Sequence, residues 1–187
     1  MRKLKKLYFL LIFVIVGLSF ILVCRFFCCD SCFLLKPLPQ NIPLKIRMDA
    51  HGDGHFGSPR KGGRKHQGID LQAPLGTPVL AAKSGFVVKT DYDKYSGYYV
   101  VIWHWPNLKF YYLHLPEIEV RKWQPVKQGQ VIGRIGRTGN ARPKGIKPHL
   151  HFEIREKGIP QDVLKRWNLS FLIREKVEMG MVFYGIS

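Results

Sequence analysis

Short apolar runs separated by glycine dominate the sequence between residues 68 and 156. They are rich in β-branched and aromatic residues, which favour strands, and turn-forming residues recur between them. The runs read GIDLQA, TPVLAA, GFVVKT, GYYVVIWHW, LKFYYLHL, QPVKQGQVIGRIG and HLHFEIRE. Trp-Pro-Asn at residues 105–107, between two such runs, predicts a hairpin turn. Because no long amphipathic helix interrupts this pattern, it predicts a mostly β fold, a compact domain of antiparallel sheets.

The N-terminus has the pattern of an exported or membrane-anchored protein. Four basic residues in MRKLKK, at residues 1–6, precede an apolar run at residues 7–24 without a charged residue. The run has the length of a short transmembrane helix, and the basic residues favour a cytoplasmic N-terminus with an exported remainder. Ser19 ends a weak small-x-small cleavage site, so cleavage and secretion stay open. We expect an uncleaved single-pass anchor in the bacterial cytoplasmic membrane, with the remaining domain outside the cytoplasm.

All of the cysteines lie close to this apolar run, and they are Cys24, Cys28, Cys29 and Cys32. Their spacing does not match a common zinc pattern, so we expect membrane-proximal residues that are acylated or disulfide-bonded after export. Three prolines then predict an extended linker at residues 25–47. We expect a catalytic domain at residues 48–156 and a short helical tail at residues 157–187, where PQDVLKRWNLSFLIREK occurs.

Charge alone does not identify the partner of this protein. Lys and Arg number 30 against 13 Asp and Glu, for a net charge of +17, which favours an anionic partner. The basic residues are spread along the chain, and no nucleic-acid-binding motif accompanies them. We therefore expect no nucleic-acid partner for a domain that is exported.

Two histidines stand one residue apart in KPHLHFEIRE, at residues 147–156. In a strand, His149 and His151 project from the same face, about 7 Å apart, while Leu150 and Phe152 project toward a core. The pair is either a polar face or part of one chemical site. A catalytic zinc site needs about three nitrogen or oxygen ligands and one open position for water.

Two other segments carry residues that suit such a site. His66 and Asp70 are four residues apart in HQGID, with Gly68 between them to let the chain bend. Together with one histidine of the HLH pair they would supply three ligands. The second histidine of the pair, and His114 in YYLHL, would then remain available for proton transfer and oxyanion stabilisation.

These segments carry a family resemblance. HQGIDLQAPLGTPVLAAKSGFVV, YYLHL, VKQGQVIGRIGRTG and PHLHFE closely resemble the lysostaphin/LytM-type zinc metalloendopeptidases, over roughly residues 54–156. The resemblance implies that one Zn²⁺ is held by His66, Asp70 and His151. It implies that His114 and His149 are the catalytic histidines. It also implies a barrel-sandwich-like β-sheet groove flanked by loops, and cleavage of stem or cross-link peptides in bacterial peptidoglycan.

A second interpretation assigns the chain to a different functional class. Some proteins similar to this family have lost the metal and act as non-catalytic regulators of cell-wall amidases. Here all five positions hold competent residues, which favours an enzyme. The chain departs from the family in the loops: FGSPR has an extra residue, Trp123 replaces a usual glycine, and the loop before PHLH is longer. Because such loops border the groove, these departures bear on which substrate the protein prefers.

Two further groups of histidines need interpretation. His51, Asp53 and His55 alternate with glycines in DAHGDGHFG, and are either a second metal site or a flexible polar loop. We expect the loop. His104 in VVIWHW is expected to be structural or to form part of the groove wall.

Overall fold

The computed structural model describes residues 2–28 and 33–167. The chain divides into two compact units, Met1–Ser31 and Cys32–Ser187. The first unit contains the helix α1, Arg2–Cys28. Within the described residues, no helix combines the length and the apolar character that crossing a bilayer requires. The anchor at residues 7–24 is not confirmed and stays a prediction. Cys24 and Cys28 lie in α1, whereas Cys29 and Cys32 lie outside the described residues, so the predictions for the cysteine side chains also stay predictions.

Strands are the main regular elements in the described part of the second unit. They are β1 Met48–Asp49, β2 Gly52–Asp53, β3 Ile69–Gln72, β4 Pro78–Leu80, β5 Gly85–Asp93, β6 Gly97–His104, β7 Leu108–Leu115, β8 Pro125–Val126, β9 Val131–Arg134, β10 His149–Glu156 and β11 Ile159–Gln161. Two short 3₁₀ helices cover Lys61–Gly63 and Gly139–Ala141. All pairings between these strands are antiparallel. The predicted mostly β, antiparallel fold class is therefore confirmed.

One seven-stranded sheet places the three sequence motifs side by side. Its strands follow the order β11-β10-β7-β6-β5-β8, and β3 also pairs with β10. On one side β10 contacts β7 along most of its length, and on the other it contacts β3 and then β11. The hairpin predicted around residues 105–107 joins β6 to β7 and is confirmed. Because β10 lies between β3 and β7, HLH is flanked by HQGID and YYLHL.

The two faces of β10 have different roles. Leu150, Phe152 and Ile154 are fully buried in the core, as strand alternation predicts. The ring of Phe152 stacks on Phe110 of β7, with centroids 6.2 Å apart. His149 and His151 project from the opposite face, so the predicted division of this strand is confirmed.

Segments on both sides of the predicted catalytic domain contact the sheet. Leu38, in the predicted linker, is 1% exposed and belongs to the core. Ile46 forms a bridge to Leu71 of β3. After β11, residues 163–167 are helical, and Trp167 stacks on Phe152 at 6.1 Å. The remainder of the predicted helical tail lies outside the described residues, and the domain boundaries stay predictions.

Candidate metal centre

Three side chains that the sequence selects as ligands lie together on the sheet. The pairing of β3 with β10 places Asp70 directly opposite His151. His151 Nδ1 is 2.8 Å from Asp70 Oδ1 and 2.9 Å from His66 Nε2. His66 Nε2 lies 3.1 Å from Asp70 Oδ1. All three residues are buried, so polar atoms converge in a site that is largely shielded from water.

Gly68 lets the two strands approach each other. The sequence predicts a bend at this residue, but its φ is not in the left-handed region. A Cβ at Gly68 would lie 2.3 Å from the carbonyl oxygen of Phe152, which is far inside van der Waals contact. The glycine is therefore required because β10 passes so close to the backbone just before β3.

His66 is held by the loop that precedes β3. Its Nδ1 lies 2.8 Å from the carbonyl oxygen of His55, and since a carbonyl can only accept, Nδ1 carries the proton. The unprotonated Nε2 consequently faces Asp70 and His151. Such a bond from the outer nitrogen to a backbone oxygen is the usual way in which a metal-binding imidazole is oriented.

Strict strand alternation would put His114 in the core. Phe110 and Tyr112 of β7 are fully buried there, and His114 continues their period of two. Instead Leu115 is the next residue to be fully buried. The face of the strand therefore changes between Tyr112 and Leu115.

A β-bulge produces this change of face. Tyr98 of β6 pairs with Leu115, but Val100 pairs with Tyr112, so two residues of β7 stand opposite one residue of β6. His114 adopts the left-handed conformation with φ 68°. Bulges of this kind re-aim side chains and are frequent beside functional sites.

The bulge brings His114 to the other two histidines of the site face. Its ring centroid is 5.2 Å from that of His149 and 6.0 Å from that of His151. His114 Nδ1 donates to the carbonyl oxygen of Thr138 at 3.1 Å, and His149 Nδ1 donates to that of Lys147 at 2.8 Å. Both imidazoles therefore present an unprotonated Nε2.

Burial keeps these two imidazoles neutral. It lowers the pKa of His114 to about 3, with a further contribution from the neighbouring His149 and His151. Burial also lowers the pKa of His149, although the charge of Asp70 opposes it. His149 Nε2 is 3.9 Å from Asp70 Oδ1. At neutral pH the site thus contains two proton acceptors beside the three candidate ligands.

Asp70 is an ionised carboxylate with a role for each oxygen. Burial by itself would raise its pKa, but the hydrogen bond from His151 and the neighbouring His66 outweigh burial and hold the pKa well below its usual range. Oδ1 faces the histidines, while Oδ2 accepts from Arg47 Nη2 at 2.9 Å. Sequence reasoning missed Arg47 because it lies in the predicted linker, where no spacing connects it to a motif.

His151 is bound on its outer side by a second carboxylate. Its Nε2 donates to Glu153 Oε1 at 2.9 Å, and Arg155 Nη2 lies 2.7 Å from Glu153 Oε2. Burial would lower the pKa of His151, but bonds to Asp70 and Glu153 raise it to about 9. Sequence reasoning also missed Glu153. The sequence did contain a signal for it: Glu153 follows His149 and His151 at a spacing of two, so it projects from the same face of the strand.

The three candidate ligands fit a zinc ion. Two imidazole nitrogens and one carboxylate oxygen form a donor set typical of catalytic zinc, with a fourth position open. Ligands at about 2.0–2.2 Å from a tetrahedral zinc lie about 3.3 Å from each other. The three separations, 2.8, 2.9 and 3.1 Å, are shorter than that value by about half an ångström or less.

The other histidines stay outside this group. Among the residues that the structure describes, His66, Asp70 and His151 form the only cluster of His, Cys, Asp or Glu close enough to hold an ion. DAHGDGHFG therefore provides no second cluster in that part of the chain. His104 Nδ1 donates to the carbonyl oxygen of Ser84 at 2.7 Å, which agrees with the structural role expected for it.

Comparisons with known proteins agree with the geometry. Residues 64–163 match the family described as Peptidase family M23. The chain is 45% identical over 100 residues to Peptidoglycan DD-endopeptidase ShyA of Vibrio cholerae, covering 54% of this chain and 22% of the relative. It is 39% identical over 100 residues to Stage II sporulation protein Q of Bacillus subtilis, covering 52% of this chain and 35% of the relative.

A solved structure with a similar fold is the catalytic domain of the antimicrobial peptidase lysostaphin from Staphylococcus simulans. It superposes with a TM-score of 0.53 and 29% sequence identity, over 65% of this chain and 92% of that one. The resemblance to the lysostaphin/LytM family is therefore confirmed. The chain spans only 22% and 35% of the two curated relatives, so the similarity concerns a part of each.

Proposed function

The chain belongs to peptidase family M23, and on that premise we propose that it is a zinc-dependent endopeptidase that hydrolyses peptide bonds in bacterial cell-wall peptidoglycan. One observation carries the proposal: three buried candidate ligands and two neutral imidazoles converge on one face of β10 and its neighbours. Stem or cross-link peptides are the proposed substrates.

The proposed roles follow from the orientation of each side chain. His66, Asp70 and His151 would hold the ion. When bound, zinc would polarise the scissile carbonyl and make water acidic enough to react near neutral pH. His114 and His149 present unprotonated Nε2 atoms, so one of the two would accept the proton of the attacking water and pass it to the leaving amine. The imidazole that carries the proton would also stabilise the developing oxyanion.

Digestion of purified peptidoglycan by the full-length protein tests this proposal. Mass spectrometry of the products is expected to reveal newly formed amino and carboxyl termini, and it identifies the bond that is cut. The regulator interpretation predicts intact peptidoglycan together with higher activity of an added cell-wall amidase. That pair of results would overturn the endopeptidase proposal.

We also propose that residues 7–24 anchor the protein in the cytoplasmic membrane with the domain outside the cytoplasm. The support comes from the apolar run and from α1, where Phe9 and Phe13 are 69% and 82% exposed in the isolated chain. The full-length protein is expected to sediment with membranes, to resist extraction by high salt and to be released by detergent. A variant without residues 1–28 should stay in the soluble fraction. Recovery of the full-length protein in the soluble fraction would contradict the anchor.

A basic loop precedes β10 and offers a means of binding substrate. Arg142, Lys144 and Lys147 are exposed in NARPKGIK, and Arg137 Nη2 holds the loop by donating to the carbonyl oxygen of Ile146 at 2.8 Å. Stem peptides carry carboxylates. The loop therefore either attracts the substrate electrostatically, or its charges are simply solvated.

Replacing Arg142, Lys144 and Lys147 with glutamine separates these alternatives. Salt screens such attraction with a Debye length of about 8 Å at physiological ionic strength. We expect a higher KM on peptidoglycan at low salt, a flatter salt dependence and unchanged zinc content. The control replaces three exposed cations near β8, at the opposite edge of the sheet: Arg121, Lys122 and Lys127. Equal KM values for the two triple variants would show that the loop charges are only solvated.

A further inference from the structure

We propose that Arg47 and Asp49 are positioning residues that fix the ligand Asp70 and the catalytic His149 relative to each other. Hydrogen bonds run from Asp70 through both side chains to the loop residue that orients His149. This inference rests on the proposed peptidase function for the role of His149. Neither Arg47 nor Asp49 belongs to the motifs that define the site.

Arg47 forms the first half of the connection. Its Nη2 and Nε lie 2.9 and 3.3 Å from Asp70 Oδ2, and its Nη1 lies 2.6 Å from Asp49 Oδ1. The side chains of Arg47, Asp49 and Asp70 are only 6%, 5% and 4% exposed. The planar guanidinium binds Asp70 through two nitrogens and Asp49 through a third, an arrangement that the single nitrogen of a lysine does not provide.

The backbone of Arg47 is fixed as well. Its N–H donates to the carbonyl oxygen of Asp70 at 2.8 Å, and its own carbonyl oxygen accepts from Gly54 N at 2.8 Å. A Cβ at Gly54 would lie 2.8 Å from both that oxygen and the Cβ of Asp70. These contacts fix the backbone that carries the guanidinium, and they thereby fix the position from which the guanidinium binds Asp70.

Asp49 forms the second half of the connection. Its Oδ1 accepts from His51 N at 2.9 Å as well as from Arg47, and its Oδ2 accepts from Lys147 N at 3.0 Å. The carbonyl oxygen of Lys147 in turn accepts the Nδ1 proton of His149 at 2.8 Å. Asp49 therefore fixes the residue that sets the tautomer and the ring orientation of His149.

Stabilisation alone does not account for this arrangement. Arg60 Nη2 also lies 3.5 Å from Asp70 Oδ2, so a second cation is already close to the carboxylate. Burying an arginine carries a desolvation cost that a nearby cation at the surface would avoid. What Arg47 adds is the link to Asp49, and through it to the loop before β10.

Asp49→Asn in the full-length protein tests the connection without altering Asp70 or His149. The amide keeps the size of the carboxylate, but it offers only one oxygen, so either the bond to Arg47 or the bond from Lys147 N is lost. Mutation of a residue that hydrogen-bonds to a metal ligand typically lowers metal affinity or activity by about 10–100-fold. We expect a loss of that size in kcat at saturating zinc with little change in KM. Zinc affinity, measured by competition with a chelator, is also expected to fall.

Asp91→Asn is the matched control. Asp91 lies on β5, its side chain is 54% exposed, and its carboxylate contacts Lys89 and takes no part in the bonds that link Asp70 to His149. It is expected to keep the wild-type kcat and zinc affinity. Wild-type values of both quantities in Asp49→Asn would overturn the proposal.

Comparison of Arg47→Lys with Arg47→Met distinguishes geometry from charge. If the guanidinium works by bridging two carboxylates, Arg47→Lys should lose nearly as much kcat and zinc affinity as Arg47→Met. Wild-type kcat and zinc affinity in Arg47→Lys would overturn the bridging role. Thermal unfolding shows whether these variants fold, and if they do not, Asp49→Asn still decides the outcome.

A wild-type protein that binds zinc but leaves peptidoglycan intact would refute the peptidase function, while the zinc affinities would still test the link to Asp70.

Discussion

Alanine in place of His66, Asp70 or His151 is expected to leave a protein without stoichiometric zinc and without measurable hydrolysis of peptidoglycan. Each substitution removes one of three converging donors whose ligand atoms lie within 4.8 Å of one another. Two protein ligands do not hold zinc tightly enough for a catalytic site, which normally has three. Zinc content by elemental analysis and release of peptidoglycan fragments are the two measurements.

His51→Ala is a suitable control for these variants, because His51 is exposed and lies outside the cluster. It should keep both zinc and activity. Retention of stoichiometric zinc by any of the three ligand variants would exclude that residue as a ligand.

Zinc binding by the wild-type protein should also depend on pH. In the metal-free protein the pKa of His151 is raised to about 9, so at pH 7 its Nδ1 carries a proton that zinc must displace. Affinity is expected to rise with pH up to about 9 and then to level off. Calorimetry in buffers of different ionisation enthalpy would count the released proton.

His114→Ala and His149→Ala are expected to keep zinc and to lose most of their activity. Both residues present an unprotonated Nε2 beside the ligands, yet neither belongs to the group that could hold the ion. Loss of one acid–base or oxyanion-stabilising group typically costs about 10²–10⁴-fold in rate. The measurement is kcat on peptidoglycan with zinc content determined on the same sample.

His55→Ala provides the comparison for these two variants. Its side chain is 45% exposed and contacts Asp53, while only its backbone carbonyl orients His66. It should hydrolyse peptidoglycan at close to the wild-type rate. If His114→Ala or His149→Ala did the same, the catalytic role of that histidine would be wrong.

The sequence by itself determined the features that depend on local geometry. Alternation with a period of two is a property of any strand, so HLHFE was enough to place His149 and His151 on one face and Leu150 and Phe152 in the core. The hairpin at residues 105–107 and the mostly β fold class follow from turn residues and β-branched runs in the same way. The family resemblance added the choice of His151, rather than His149, as the third ligand.

Only the tertiary structure decided which way His114 faces and what supports the ligands. Alternation along β7 would bury His114 with Phe110 and Tyr112, but the register with β6 introduces a bulge that turns it toward the site. Such a bulge depends on two strands together, so a single strand's pattern cannot reveal it. Likewise Arg47 reaches Asp70 across 23 residues of sequence. Hydrogen bonds between distant segments have no characteristic spacing that could be recognised in the sequence, because only folding of the sheet brings their partners together.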